Sequence, residues 1–199
     1  MTIPTTFHSF LNAIDIGDDD ATEAIVARLT STDEPALIEL AQSADPDQCW
    51  WALRALAAVG GESSLPAVSG ALDAADPALR AVAAMSVSYL NQRQPQAMQP
   101  LLPQVARLLA DDDGFVRQAA ADSLAQCGDA AVPALATVIF QCKHEGARTR
   151  AAGALRKIAS MKAAGVLFRC LNDHNHLVHT YAYEALDEMG LLENVLLMP

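Results

Sequence analysis

The sequence predicts an all-α chain built as an array of two-helix repeats. Three observations carry that expectation. The composition is 52% hydrophobic yet only 5% aromatic, and alanine fills the difference, which suits closely packed helices. One frame recurs through the chain: "DPDQCWWALRALAAVG", "DPALRAVAAMSVSYLN", "DGFVRQAAADSLAQCG", "HEGARTRAAGALRKIA" and "NHLVHTYAYEALDEMG". Its anchor slot holds Cys49, Arg80, Arg117, Arg148 and His179, at steps of 31, 37, 31 and 31 residues. Three positions later stand Ala52, Ala83, Ala120, Ala151 and Ala182; seven positions later stand Leu56, Val87, Leu124, Leu155 and Leu186. A period of this length marks a solenoid of stacked helical pairs.

The organisation follows in order. A weaker first unit at 5–30 places Asp18, Ala21 and Ile25 in the frame, one step of 31 before Cys49. Clear units follow at 33–61, 63–92, 97–129, 131–160 and 162–190, all within one domain over 1–199. The first helix of a unit often begins at proline (Pro35, Pro66, Pro103), which tolerates the first turn because its missing N–H is not needed there. Its inward stripe reads Leu37 and Leu40, Val68 and Leu72, Val105 and Leu109, Leu167 and Leu171, at helical spacing. A turn bearing Asp, Gly or Asn leads to the second helix, where the invariant alanine lets two helices approach. Gly60, Gly128 and Gly190 stand where a helix C-cap is expected. The six extra residues of the 37-step are expected in a longer loop, "LNQRQPQAMQP". Past Gly190, the tail 191–199 offers Leu191, Leu192, Val195, Leu196, Leu197 and Met198 as a cap on the array end or a docking segment.

Charge and cysteine narrow the function classes. The net charge of −11 disfavours nucleic acid as a partner. Its distribution is uneven: residues 1–48 carry ten acids against Arg28, whereas 143–169 carry seven Lys and Arg against Glu145. Such asymmetry orients an incoming partner. No run of apolar residues is long enough for a membrane span, no secretory leader is expected, and four cysteines without a CxxC pair suit reduced thiols in a cytoplasm.

The pattern Asp-x-x-Val-Arg-x-x-Ala-x-x-x-Leu, as in "DGFVRQAAADSL", resembles the HEAT repeat. More narrowly, it is similar to the bacterial HEAT-like class named for phycobilisome bilin lyases, over roughly residues 5–190. The resemblance implies a right-handed α-solenoid of about six helical pairs, its second helices lining a concave groove. A related enzyme, deoxyhypusine hydroxylase, uses His-Glu pairs that follow the anchor as di-iron ligands. Here His144 and Glu145 precede Arg148 by four and three residues, in the slot of Asp113 and Gly114, so they belong to the turn. A separate metal set is conceivable in Cys142, His144, His174 and His176, since thiolate and imidazole suit zinc or an iron–sulfur species. No metal or other cofactor is favoured.

The anchor arginines are expected to pair with a turn Asp, Asp76 or Asp113, and to tie neighbouring units together. Positions two, five and nine after the anchor share one face of the second helices. They collect Trp51, Arg54, Val82, Met85, Tyr89, Asp122, Gln126, Arg150, Lys157, Tyr181 and Glu184, a mix of aromatic, Met and charged residues that suits protein binding. Trp50 and Trp51 cannot face the same way, so one packs and the other is a candidate anchor; of the two, Trp51 falls on the collected face. No catalytic arrangement or phosphate loop is assembled. The expected function is therefore a non-catalytic scaffold or adaptor holding a partner protein in the groove. The alternatives are a lyase-like or chaperone-like subunit in tetrapyrrole–protein assembly, working as one of a pair, and an accessory protein in metal or iron–sulfur delivery. A homo-oligomer is also compatible with the sequence.

Overall fold

A computed structural model of the chain describes residues 5–192. The described residues are helical, with no strand among them, and divide into two compact units, 1–101 and 102–199.

In the first unit, α1 (Thr5–Asp15) pairs with α2 (Asp19–Val26), α3 (Glu34–Leu40) with α4 (Pro46–Val59), and α5 (Leu65–Ala71) with α6 (Pro77–Arg93). A short helix, α7 (Pro95–Met98), packs against α6. In the second unit, α8 (Leu102–Arg107) pairs with α9 (Gly114–Gln126), α10 (Val132–Gln141) with α11 (Glu145–Ile158), and α12 (Met161–Leu167) with α13 (His176–Glu188). Within each unit the second helices stack on one another: α4 on α6 in the first, α11 on both α9 and α13 in the second.

The alanine slot explains the stacking. Ala52, Ala83, Ala120, Ala151 and Ala182 are all fully buried, as are Leu56, Val87, Leu124, Leu155 and Leu186 behind them. A side chain longer than a methyl at the first set would hold the helices apart, and the second set supplies the apolar area that drives packing. On the first helices Leu37, Val68, Leu72, Val105, Leu109 and Leu167 are buried, while Leu40 and Leu171 remain half-buried.

In the five repeats anchored from Cys49 to His179, the N-cap of the second helix falls four residues before the anchor. Asp45 accepts from the Asp47 N–H at 2.9 Å, Asp76 from Ala78 at 2.8 Å and Asp113 from Phe115 at 2.8 Å. Asn175 accepts from Leu177 at 3.0 Å, and His144, through Nδ1, from Ala147 at 3.0 Å. A side-chain acceptor there satisfies a backbone donor that the helix cannot. Past the other end of the helix, Gly128 and Gly190 adopt φ of +59° and +68°, the left-handed region that closes a helix without strain only at glycine. Gly60 is needed for closeness instead: a Cβ there would lie 2.6 Å from the Leu56 carbonyl oxygen.

Two expectations are corrected here. In the first unit the buried slots are Thr22 and Val26, not Ala21 and Ile25, which are half-buried. Thr22 is accommodated because its Oγ1 donates to the Asp18 carbonyl at 2.7 Å, leaving only its methyl to pack. The extra residues of the long step are not a loop. They prolong α6 to Arg93 and form α7, which Pro95 opens and fully buried Met98 fastens. The expected C-terminal cap, residues 193–199 above all, lies outside the described residues.

Candidate functional site

The anchor slot shows one chemistry in five guises. The first helix of each repeat ends with carbonyls that have no helical partner, and the anchor side chain donates to them or to those of the turn. Cys49 Sγ reaches the Ser43 carbonyl at 2.9 Å, Arg80 Nη1 those of Ala74 and Ala75 at 2.9 and 2.8 Å. Arg117 Nη1 reaches Asp111 and Asp112 at 2.7 and 2.8 Å, and Arg148 Nε reaches Ile139 at 2.9 Å. His179 Nδ1 stands 2.6 Å from the Leu171 carbonyl oxygen. The expected Asp76 and Asp113 partners are helix caps instead, because the backbone N–H groups at the helix start claim their carboxylates. The expected tie between repeats does form at Arg148, whose Nη2 meets the Asp173 carboxylate of the following repeat at 2.5 Å.

His144 and Glu145, expected on the turn, stand at the start of α11 instead, as its N-cap and its first residue. His144 caps α11, and Glu145 binds Arg148 at 3.2 Å and the Asn175 amide at 2.6 Å. The structure does not gather Cys142, His144, His174 and His176 into a metal-holding group: among the described residues no three His, Cys, Asp or Glu side chains come together in that way. His176 Nδ1 lies within 3.4 Å of Thr180 Oγ1. All four cysteines are free thiols. Burial pushes the Cys127 thiol up to about 12 and, with Asp173 nearby, Cys170 up to about 11. Burial, followed by the Asp45 charge, also raises Cys49.

The charged residues of the second helices are largely spent on one another. Arg54 pairs with Glu23, Lys157 with Asp122 at 2.6 Å, and Arg156 with both Glu184 and Glu188. Each pair crosses from one second helix to the next within its unit. Arg150 reaches the Leu109 carbonyl at 3.4 Å, and its pKa is lowered by burial and by the neighbouring Arg117. Among the apolar members of the expected face, Met85 and Tyr181 are half-buried and Tyr89 is 47% exposed. Val82 is buried, so it belongs to the core and not to the face.

Of the two tryptophans, the one collected on the second-helix face, Trp51, is the packed one. Trp51 is 8% exposed and packs with Phe7, Phe10 and Ile14, because α1 lays its aromatic stripe against α4. Trp50 is the more open ring. Sequence reasoning also missed the tie of Glu34, which accepts from the Gly61 N–H at 2.8 Å and the Ser64 hydroxyl at 2.7 Å across two repeats.

This geometry defines an all-α helical-repeat protein of the solenoid class. Residues 101–138 match the HEAT repeat family model. No curated protein sequence matches it. Among solved structures, an engineered protein is similar over 94% of this chain and 97% of its own, at 19% identity and a TM-score of 0.52. The Escherichia coli protein YibA is similar over 98% of this chain and 80% of its own, at 16% identity and 0.56. The complex of CpcE and CpcF of phycocyanin lyase from Nostoc sp. PCC7120 aligns over 78% of this chain and 64% of the matched chain, at 23% identity and 0.50. These likenesses concern the fold. No helix among the described residues is long and apolar enough to cross a membrane.

Proposed function

We propose that the chain is a non-catalytic protein-interaction module that holds a partner protein against the second-helix faces of its repeats. The observation that carries this reading is the contrast along those helices. Three and seven positions after the anchors from Cys49 to His179 every side chain is buried, yet at the face positions Met85, Tyr89 and Tyr181 stay half-open or exposed. Open aromatic and Met side chains among charged neighbours are the composition of a binding surface. Co-purification from the native host, read by mass spectrometry, tests it. A partner retained by wild type and by Glu39→Ala on a first helix should be lost by Tyr89→Ala or Tyr181→Ala. Equal retention by all four proteins refutes the face.

A second reading makes the chain one half of a paired helical assembly, as in the bilin lyase-like and phycobilisome-lyase HEAT-like class. It is favoured by the likeness to CpcE and CpcF, which form a complex in phycocyanin lyase. The added sign would be a visible absorbance band when the partner-bound protein is mixed with a bilin; an unchanged spectrum leaves the interaction reading and removes this one. The metal-delivery alternative has no cluster in the described residues to support it.

A further inference from the structure

At the start of the array, α2 and α4 enclose a cleft of about 510 Å³ lined by Asp19, Asp20, Glu23, Asp47, Trp50 and Trp51. Two features of it are unlike the rest of the chain. Its wall is a corner of two indoles, with ring centroids 4.9 Å apart and planes at 81°. Trp51 belongs to the core cluster with Phe7 and Phe10, and Trp50 packs against that cluster partly buried, so both rings have packing partners before any ligand arrives. Facing the rings are four carboxylates on two helices, set in a segment with ten acids and one basic residue.

We propose that this cleft binds a cationic side chain, arginine before lysine, from a basic segment of a partner protein. An indole face carries negative quadrupole charge and attracts a cation placed over it. A guanidinium adds to this because it is planar, stacks, and presents paired N–H donors to a carboxylate. The cleft already holds one such group at its edge: Glu23 binds the guanidinium of the chain's own Arg54. Asp19, Asp20 and Asp47 remain exposed to solvent at its rim. A divalent metal is a poorer occupant, because no three of these carboxylates converge on a point; a large, diffuse organic cation needs no such convergence. A second copy of the chain is also a poorer fit. The chain's basic region, 143–169, already engages Arg148, Arg156 and Lys157 in ion pairs, and Arg169 lies over the Phe140 ring at 4.0 Å. The proposal rests on the interaction-module reading and names the chemistry of what would be recognised at one end of it.

The two tryptophans of the chain both line this cleft, so intrinsic indole emission reports it without labelling. Titrating the full chain with capped tetra-arginine should shift and quench that emission to saturation. Tetra-lysine should do so more weakly, and tetra-glutamate not at all. In Asp19→Asn/Asp20→Asn/Asp47→Asn, with helix content checked by circular dichroism, tetra-arginine should bind at least fivefold more weakly. Trp50→Leu, read by calorimetry, should weaken it tenfold while the other acidic surfaces stay unchanged. The proposal is overturned by an emission unmoved by tetra-arginine, by equal affinity in the triple variant or in Trp50→Leu, or by saturation with calcium alone. None of those outcomes touches the partner-capture experiment with Tyr89 and Tyr181, so failure here is separable from failure of the broader reading.

Discussion

Replacing Arg148 with Met separates a semi-buried tie from the surface pairs around it. Met keeps most of the aliphatic stem, so packing is largely conserved and the charge is what is lost. Three contacts go: Nε to the Ile139 carbonyl at 2.9 Å, Nη2 to Asp173 at 2.5 Å and Nη1 to Glu145 at 3.2 Å. Asp173 is left with the Asn175 N–H at 2.9 Å as an acceptor contact. The Arg148 and Asp173 side chains are 18% and 10% exposed, against 58% and 42% for Lys157 and Asp122. Breaking a fully buried pair costs about 3–5 kcal/mol and an exposed one about 0–1 kcal/mol. Arg148→Met therefore sits between them, at a cost of about 2–3 kcal/mol. A double-mutant cycle with Asp173→Asn isolates the pair, with an expected coupling of about 1–2 kcal/mol. The matching cycle of Lys157→Met and Asp122→Asn should give less than about 0.5 kcal/mol, and less again in high salt. Urea titration followed by far-ultraviolet circular dichroism measures both. If the two couplings are equal, burial is not what sets the strength of these ties.

Ala159 takes the slot filled by Gly128 and Gly190 in neighbouring repeats and sits at φ of +48°. Relief of the left-handed conformation (about 1–2 kcal/mol) outweighs the entropy of glycine (about 0.5–1 kcal/mol). Ala159→Gly should thus raise stability by up to about 1 kcal/mol, seen as a higher thermal midpoint; a lower one refutes the strain. Cys142 is the half-buried thiol beside three buried ones with raised pKa values. Iodoacetamide should label it first in the native protein and reach the others only in urea, and Cys142→Ser should abolish the native label. Burial pushes the Asp122 carboxyl up, but hydrogen bonds from Lys157 and Gln118 outweigh it and hold the pKa below its ordinary value. A depressed folded value stabilises the fold above the unfolded-state pKa, and that contribution is lost as pH falls through the folded one. Carboxyl NMR should show Asp122 titrating at higher pH in Lys157→Met; an unmoved curve excludes the lysine as the cause.

The repeat was legible because its core slots are chemically monotonous. An alanine and an aliphatic residue at fixed offsets are forced by helix spacing, and each such residue from Ala52 to Leu186 is buried. The first unit misled because Thr22 hides its hydroxyl on the backbone, so a polar letter stood in a core slot. The partners of the anchor arginines were hidden for a different reason. A carboxylate four residues away was visible in the string, but capping had already claimed it. Trp50 and Trp51 were recognisable as opposed faces of one helix, but which face was open depended on where α1 lay. The acidic cleft needed α2 and α4 side by side before Asp19, Asp20 and Asp47 met the indoles.

The anchor slot has a consequence for how such an array can vary. Thiol, guanidinium and imidazole all serve there, since the position asks for a group that can reach across to loose carbonyls and not for a particular charge. Architecture and electrostatics are therefore set by separate alphabets. One end of the chain can be made strongly acidic and another strongly basic without rewriting the instructions that stack its helices, so a repeat can change what it attracts while keeping its place in the line.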